Sequence, residues 1–157
     1  MKSKIILIIS FALISFNAFS QKEIHFEQIA FEYYKDSILK NKEGKLTISK
    51  KIIEDASYWK IDCLKEFNIT INDTAVAQIS EIVSVDLKTE NDKRFKIKKF
   101  KQKNPPMIFA TYFLNFGNDK NITGIVERKG NKYYTYLFEI NQLGEIKKWC
   151  KGEVKRY

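Results

Sequence analysis

Nucleophilic and metal chemistry in this chain depends on very few side chains. His25 is the only histidine, so a Ser–His–Asp triad, a Cys–His pair or a typical zinc site would have to use it. Glu27 lies two residues further on, a spacing that does not bring two side chains together on a helix. We expect His25 to be a capping or surface residue. The sequence also lacks a glycine-rich phosphate loop, and it predicts no catalytic residue, metal site or cofactor.

Two of the 19 acidic residues lie in apolar strand patterns. Glu127 and Glu139 are the best candidates for carboxylates that face the interior, although the register of either strand could instead turn the side chain to solvent. A solvated or salt-bridged acid is the simpler interpretation, and a general acid or base is the alternative.

The densest charge lies between residues 93 and 103, where lysines surround three apolar residues. A basic stripe on one strand face could bind the phosphate or sulfate groups of an anionic polymer. The lysines predicted to make that contact are Lys96, Lys98, Lys99 and Lys101. The alternative, which we favour from the sequence, is an edge strand that lysines protect against sheet-to-sheet aggregation.

The first twenty residues have the pattern of a secretory signal peptide. A cationic start precedes an apolar run, and small residues at Ala18 and Ser20 predict cleavage before Gln21. The alternative, a retained membrane anchor, would need ~20 mostly apolar residues, and this run is shorter. We therefore expect an exported protein, periplasmic or extracellular, with no membrane span after cleavage. Residues 21–157 are long enough for one domain. The whole chain contains only two prolines and six glycines, which leaves little room for a flexible linker, so we expect a single compact domain.

Charge and cysteine content fit this destination. The chain carries 28 basic and 19 acidic residues, a net charge of +9, and removal of Lys2 and Lys4 with the leader would lower it to +7. Such a charge favours nucleic acid, acidic glycans or anionic lipid surfaces as partners, although a lysine-rich surface also keeps an exported protein soluble. Cys63 and Cys150 are the only cysteines, and in an oxidising compartment they predict one disulfide. Two buried free thiols are the alternative.

Helical and strand periodicities divide the first half of the chain. Residues 24–40 predict an amphipathic helix, and residues 45–53 predict a half-buried strand. A second helix is expected from Asp55, with Cys63 and Phe67 on its inner face and Asn68 at its end. The apolar stripe of the first helix consists of Phe26, Ile29, Ala30, Tyr33, Tyr34 and Ile38. Its predicted polar side consists of Glu27, Gln28, Glu32, Lys35 and Asp36. Residues 74–88 suit either a helix or a strand, and we expect a short helix that turns into a strand.

The second half predicts strands throughout. Short turns separate the five candidate segments, and connections of that length join antiparallel neighbours. The segments are 94–101, 107–116, 121–129, 132–140 and 145–151. Two of them, 107–116 and 132–140, are apolar on both faces, so both sides of the sheet must be covered or the sheet must curl around its interior. We expect aromatic clusters such as Tyr133-Tyr134-Tyr136 to be core residues, and the lining of a ligand cleft is the alternative.

The sequence therefore predicts an α+β fold, with N-terminal amphipathic helices packed on a curved antiparallel β-meander. This order of elements resembles the cone-shaped rolls of the nuclear-transport-factor-2-like and cystatin-like groups. No residue motif accompanies the resemblance, and because such rolls include both enzymes and binding modules, it implies no particular function.

Our functional hypothesis is a non-catalytic exported module that binds a macromolecule or an envelope surface. One alternative is a small envelope enzyme with a carboxylate in the pocket of the roll. Another is an immunity-type protein that binds an exported toxin, in which case the partner is a protein.

Overall fold

The computed structural model describes residues 24–40, 45–52, 61–69, 86–90, 92–98, 107–117 and 119–154. These ranges form an α+β fold in which two short helices and a π-helical turn accompany a mixed sheet of seven strands. The helices are α1 (Phe26–Tyr33) and α2 (Ile61–Glu66), and the π-helical turn is Tyr34–Ile38. The strands are β1 (Leu46–Ile48), β2 (Phe95–Ile97), β3 (Ile108–Ala110), β4 (Leu114–Asn115), β5 (Asn121–Lys129), β6 (Lys132–Ile140) and β7 (Ile146–Val154).

Several sequence predictions fall outside the described residues. They are the signal peptide and its cleavage site, the start of the second helix at Asp55, most of the ambiguous segment 74–88, and the side chains of Lys99 and Lys101.

The sheet runs in the order β2-β1-β3-β5-β6-β7, and β4 pairs with β5 beyond the end of β3. β1 pairs in parallel with both β2 and β3, so the prediction of one antiparallel meander is wrong in this half of the sheet. The physical reason lies in the side chains of β1. Leu46 and Ile48 are both buried, and only an interior strand covers them, whereas the lysine-rich β2 takes the edge. From β3 onward all pairings are antiparallel.

The two helices lie on opposite faces of the sheet. Tyr33 and Tyr34, at the end of α1, contact Phe138 and Tyr136 of β6, with ring centroids 5.8 and 4.9 Å apart. α2 packs instead in a cluster that contains Leu137, the residue between those two. Because successive strand residues point to opposite faces, α1 covers one face and α2 covers the other. This arrangement explains why β6 is apolar on both faces.

Within residues 24–40 the structure has α1 and the π-helical turn, and the polar side predicted for this segment needs one correction. Glu27 and Lys35, expected on the solvent side, are only 5% and 7% exposed. Lys35 forms an ion pair with Glu32, and although burial opposes its charge, this pair raises the pKa of the lysine. Glu27 is buried because its carboxylate accepts a hydrogen bond from the backbone amide of the distant Phe113. Phe31 is also fully buried, against the ring of Phe95 on β2.

Asn68 ends α2, as the sequence predicts. Its φ of 57° places it in the left-handed region, which asparagine tolerates better than most residues. The amide of Asn68 donates to the Lys65 carbonyl, and the amide of Ile69 donates to the Leu64 carbonyl. This is the hydrogen-bond pattern of a Schellman motif, and both Leu64 and Ile69 are buried in the cluster beneath α2.

Candidate ligand-binding surface

The predicted disulfide is present and joins α2 to the outer strand β7. Cys63 and Cys150 are bonded, with their Cα atoms 5.6 Å apart, and both side chains are buried. Since α2 has only six residues, this bond and the Schellman motif hold it on its face of the sheet. The opposite face of β5, β6 and β7 is covered by α1 only in part, and its remaining surface is the candidate site.

Glu127 is the inward-facing acid among the two candidates. Its side chain is 1% exposed, on the face of β5 that α1 covers. The Tyr136 hydroxyl donates to its carboxylate at 3.1 Å, and the Lys129 ammonium lies 3.3 Å from the same oxygen. Burial and the nearby negative charge of Glu127 together raise the pKa of Tyr136, so its hydroxyl stays protonated and remains a donor. Glu139 is only half-buried, because its register places it on the other face.

Tyr34, the first residue of the π-helical turn, lies beside this carboxylate. Its hydroxyl is buried and has no hydrogen-bond partner within 3.5 Å among the described residues. Burial and the charge of Glu127 both raise its pKa. The carboxylate is thus enclosed by two tyrosines and a lysine, an arrangement that anchors Lys129 at the surface above it.

Above this buried group, two lysines lie close to the rings of Tyr134 and Tyr136. The Lys129 and Lys151 ammonium groups are 5.3 and 4.9 Å from the centroid of the Tyr134 ring, and Lys151 is also 5.5 Å from that of Tyr136. These are cation–π distances. The ring of Trp149 lies 6.3 Å from that of Tyr136 and is 41% exposed. We call this group, consisting of Lys129, Tyr134, Trp149 and Lys151, the lysine–aromatic surface.

Lys151 is the cation of this surface that is free to meet a ligand. Lys129 is held by Glu127, whereas Lys151 forms no ion pair with any described residue. Nearby Lys132 is already paired with Glu153 at 3.2 Å, and this hydrogen bond raises the pKa of Lys132. An anion that approaches Lys151 would therefore meet an uncompensated positive charge beside two aromatic rings.

Two of the lysines predicted from the sequence, Lys96 and Lys98, lie elsewhere. Lys96 is exposed on β2, at the opposite edge of the described sheet, and Lys98 follows it, with its amide donating to the Ile48 carbonyl at 2.8 Å. The structure does not bring these lysines to the lysine–aromatic surface. The position of β2 agrees with the alternative interpretation of an edge strand protected by its lysines.

Sequence reasoning missed the role of Trp149. Its position beside Cys150 suggests packing against the disulfide, but neighbouring strand residues point to opposite faces, and the indole lies on the face away from Cys63. Strand alternation is the signal that could have found it, because Trp149, Lys151 and Glu153 share one face. His25, the only histidine, occupies the N-cap position of α1, but its side chain makes no capping hydrogen bond.

Among the described residues no cluster of His, Cys, Asp or Glu side chains is placed to hold a metal ion. Of the helices in the same part of the chain, none is long and apolar enough to cross a membrane. Comparison of the sequence and the fold with protein-family models, with curated proteins and with solved structures gives no match.

Proposed function

We propose that this protein is an exported, non-catalytic module that binds an acidic polysaccharide through the lysine–aromatic surface. The observation that carries the proposal is the position of the Lys151 ammonium, 4.9 and 5.5 Å from two aromatic rings and without a carboxylate partner among the described residues. Sugar rings carry apolar C–H faces that pack on aromatic rings, and their carboxylate or sulfate groups pair with ammonium groups. Both kinds of contact are available here within one patch.

Charge and compartment support this proposal. The chain is basic, with a net charge of +9, which attracts polyanions over distances of about a Debye length. The disulfide fits an oxidising compartment, and we expect the leader to take the protein to the periplasm or the exterior. The working protein is then one domain, residues 21–157, and we expect its sheet to curl into a roll beneath α1.

The alternative function is an envelope enzyme that uses Glu127. A specific observation draws attention to it, because Glu127 is a buried carboxylate beside two tyrosines. The contacts of that carboxylate favour a structural role. Tyr136 donates a hydrogen bond to the carboxylate, and Lys129 forms an ion pair with it. A carboxylate held in this way is poorly suited to accept a proton from a substrate.

The test is salt elution of the purified protein from immobilised heparin, a sulfated polysaccharide. Lys151→Gln and Lys96→Gln each remove one positive charge, the first from the lysine–aromatic surface and the second from β2. We expect Lys151→Gln to lower the eluting salt concentration clearly and Lys96→Gln to change it little. Equal shifts would mean that only net charge matters, and they would contradict a defined site.

A second variant separates ring contacts from charge. Trp149→Leu keeps the net charge but removes the exposed indole. We expect it to weaken heparin binding by several-fold while the dependence of affinity on salt stays unchanged, because the number of ion pairs is the same. A stronger affinity of the wild type for single-stranded DNA than for heparin would reject a polysaccharide as the ligand, since base stacking on aromatic rings is the competing chemistry.

A further inference from the structure

Strand β7 is the outer strand of the described sheet and has nine residues, three times the length of β2 at the other edge. A long outer strand presents unpaired backbone N–H and C=O groups to any strand that can lie alongside it. The side chains of Lys147, Trp149 and Lys151 are exposed, so one face of β7 is open along its centre, whereas α2 covers Cys150 on the other face. The question is which strand this edge suits.

We propose that the partner is β7 of a second copy, paired antiparallel about a two-fold axis at Cys150. In a symmetric antiparallel pair, opposite residues must lie on the same face, so the axis has to pass through a residue rather than between two. With Cys150 on the axis, residues 147–153 of the strand find a partner. Lys147 then lies opposite Glu153, Lys148 opposite Gly152, and Trp149 opposite Lys151. Ile146 lies beyond a β-bulge and packs on the α1 face, so it does not continue this pairing.

Charge selects this register over its neighbours. Opposite charges across a strand pair attract, and like charges directly opposite are destabilising. An axis at Trp149 would place Lys147 opposite Lys151, and an axis at Lys148 or Lys151 would place that lysine opposite its own copy. An axis at Gly152 would pair only residues 150–154 of the strand with one another and would leave Lys147 without Glu153. The axis at Cys150 pairs the largest number of residues of the strand without opposing two lysines.

The side chains that meet in this register are complementary on the lysine–aromatic face. There each Lys147 meets a Glu153, and each Trp149 ring meets a Lys151 ammonium, a cation–π pair. Lys147 and Glu153 are now paired within one chain to Glu145 and Lys132, at 2.7 and 3.2 Å. Those exposed pairs contribute little to stability, so both side chains can turn to a new partner.

The proposed dimer does not depend on polysaccharide binding. Its main contacts are the backbone edge of β7 and the charges of Lys147 and Glu153, which lie outside the lysine–aromatic surface, and the contact between Trp149 and Lys151 adds to them. It would nevertheless place the Lys151 and Trp149 side chains of two copies on one continuous sheet face.

The test is the mass of the purified protein by sedimentation over a wide range of concentration. We expect the wild type to form a dimer. Lys147→Glu and Glu153→Lys should each raise the dissociation constant at least about tenfold, because each change turns two attractive pairs into two repulsive ones in the symmetric dimer. Lys96→Glu makes the same change of charge on β2 and should leave the dimer intact.

Mixing the two weakened variants gives the decisive result. A Lys147→Glu chain beside a Glu153→Lys chain regains both opposite-charge pairs, so the mixture should form dimers where each variant alone is monomeric. Recovery of the dimer would establish the register. A wild type that stays monomeric at millimolar concentration, or a mixture no better than its components, would overturn the proposal.

Discussion

The Glu27 carboxylate accepts a hydrogen bond from the Phe113 backbone amide at 3.2 Å, which ties the first turn of α1 to the gap between β3 and β4. Across this gap the chain does not follow the regular ladder with β5, which resumes at Leu114. Glu27 supplies the acceptor that the ladder would otherwise give. The ring of Phe26 packs on that of Phe113 at 4.8 Å and covers the contact.

Substitution of Glu27 separates its hydrogen bond from its charge. Glu27→Gln keeps an acceptor for the Phe113 amide and removes a buried charge, so we expect stability at pH 7 to equal or exceed that of the wild type. Glu27→Leu leaves that amide without its acceptor and should cost about 1–3 kcal/mol. Urea denaturation of the three proteins measures the order, and a leucine variant as stable as the glutamine variant would contradict the role of this bond.

The pH dependence of the wild type follows from the same group. Burial raises the pKa of Glu27 above its usual value, an effect larger than the opposing backbone hydrogen bonds, including that from Phe113. A raised folded-state pKa means that the folded protein holds the proton more tightly than the unfolded chain. Its contribution to stability is therefore complete below the ordinary pKa and is lost as the pH rises through the raised pKa. We expect Glu27→Gln to remove this loss, measured as the difference in unfolding free energy between mildly acidic and neutral pH.

The helical stripe of α1 and the alternation in β5–β7 were predictable because both depend on residues close in sequence. The burial of Glu27 was not, since the amide that needs it lies 86 residues away. The insertion of β1 between β2 and β3 was hidden for the same reason. A three-residue strand carries no signal of its partners, and its pairing is decided by which sheet position buries Leu46 and Ile48.

The candidate site was predictable only in its buried part. The apolar strand patterns pointed to Glu127 and Glu139 as the best candidates for inward-facing acids, and the structure buries Glu127. The surface above it combines one residue from β5, one from β6 and two from β7. Because the register of three strands sets these neighbours, the sequence alone could not separate Tyr134, partly open to solvent, from Tyr136, which is buried.

Removal of each of the two tyrosine hydroxyls next to Glu127 should affect the stability of the protein differently. Tyr136→Phe deletes the donor at 3.1 Å from a buried carboxylate, and we expect it to lower the free energy of unfolding by about 1–3 kcal/mol. Tyr34→Phe deletes a buried hydroxyl without a hydrogen-bond partner among the described residues, so stability should stay equal or rise. Thermal unfolding of this matched pair is the measurement. A larger loss in Tyr34→Phe than in Tyr136→Phe would show that the hydrogen bonds are wrongly assigned.

Arg94 connects β2 to the end of the π-helical turn. Its guanidinium donates to the Lys35 and Leu39 carbonyls at 3.5 and 3.4 Å and pairs with Asp92 at 2.7 Å. Arg94→Met should destabilise the protein by about 1 kcal/mol at pH 7, because helix-end carbonyls and a carboxylate lose their donor. Lys93→Met, at an exposed neighbouring lysine, removes the same charge and is the control.

Acid should reduce the effect of the Arg94 substitution. The hydrogen bond from Arg94 outweighs burial and lowers the pKa of Asp92. The stabilisation from this pair is therefore present above the ordinary pKa of an aspartate and is lost as the pH falls through the lowered value. The difference in stability between wild type and Arg94→Met should shrink toward the acidic end of a pH series, and the part due to the Lys35 and Leu39 carbonyls should remain. A constant difference down to that end would show that Asp92 is not the main partner.

Removal of the disulfide tests how firmly α2 is held to the sheet. The bond between Cys63 and Cys150 closes a loop with a sequence separation of 87 residues, and chain entropy predicts a stabilisation of about 4 kcal/mol. We expect the double variant Cys63→Ala/Cys150→Ala to lose approximately this amount in urea denaturation, and reduction of the wild type to have a similar effect.

Hydrogen exchange of the backbone amides shows where in the fold this stability is lost. Amides of α2 should lose protection first, whereas those of the β5–β6 pair, buried between two layers, should keep it until global unfolding. Equal loss of protection in both elements would mean that the bond stabilises the whole domain rather than the docking of α2.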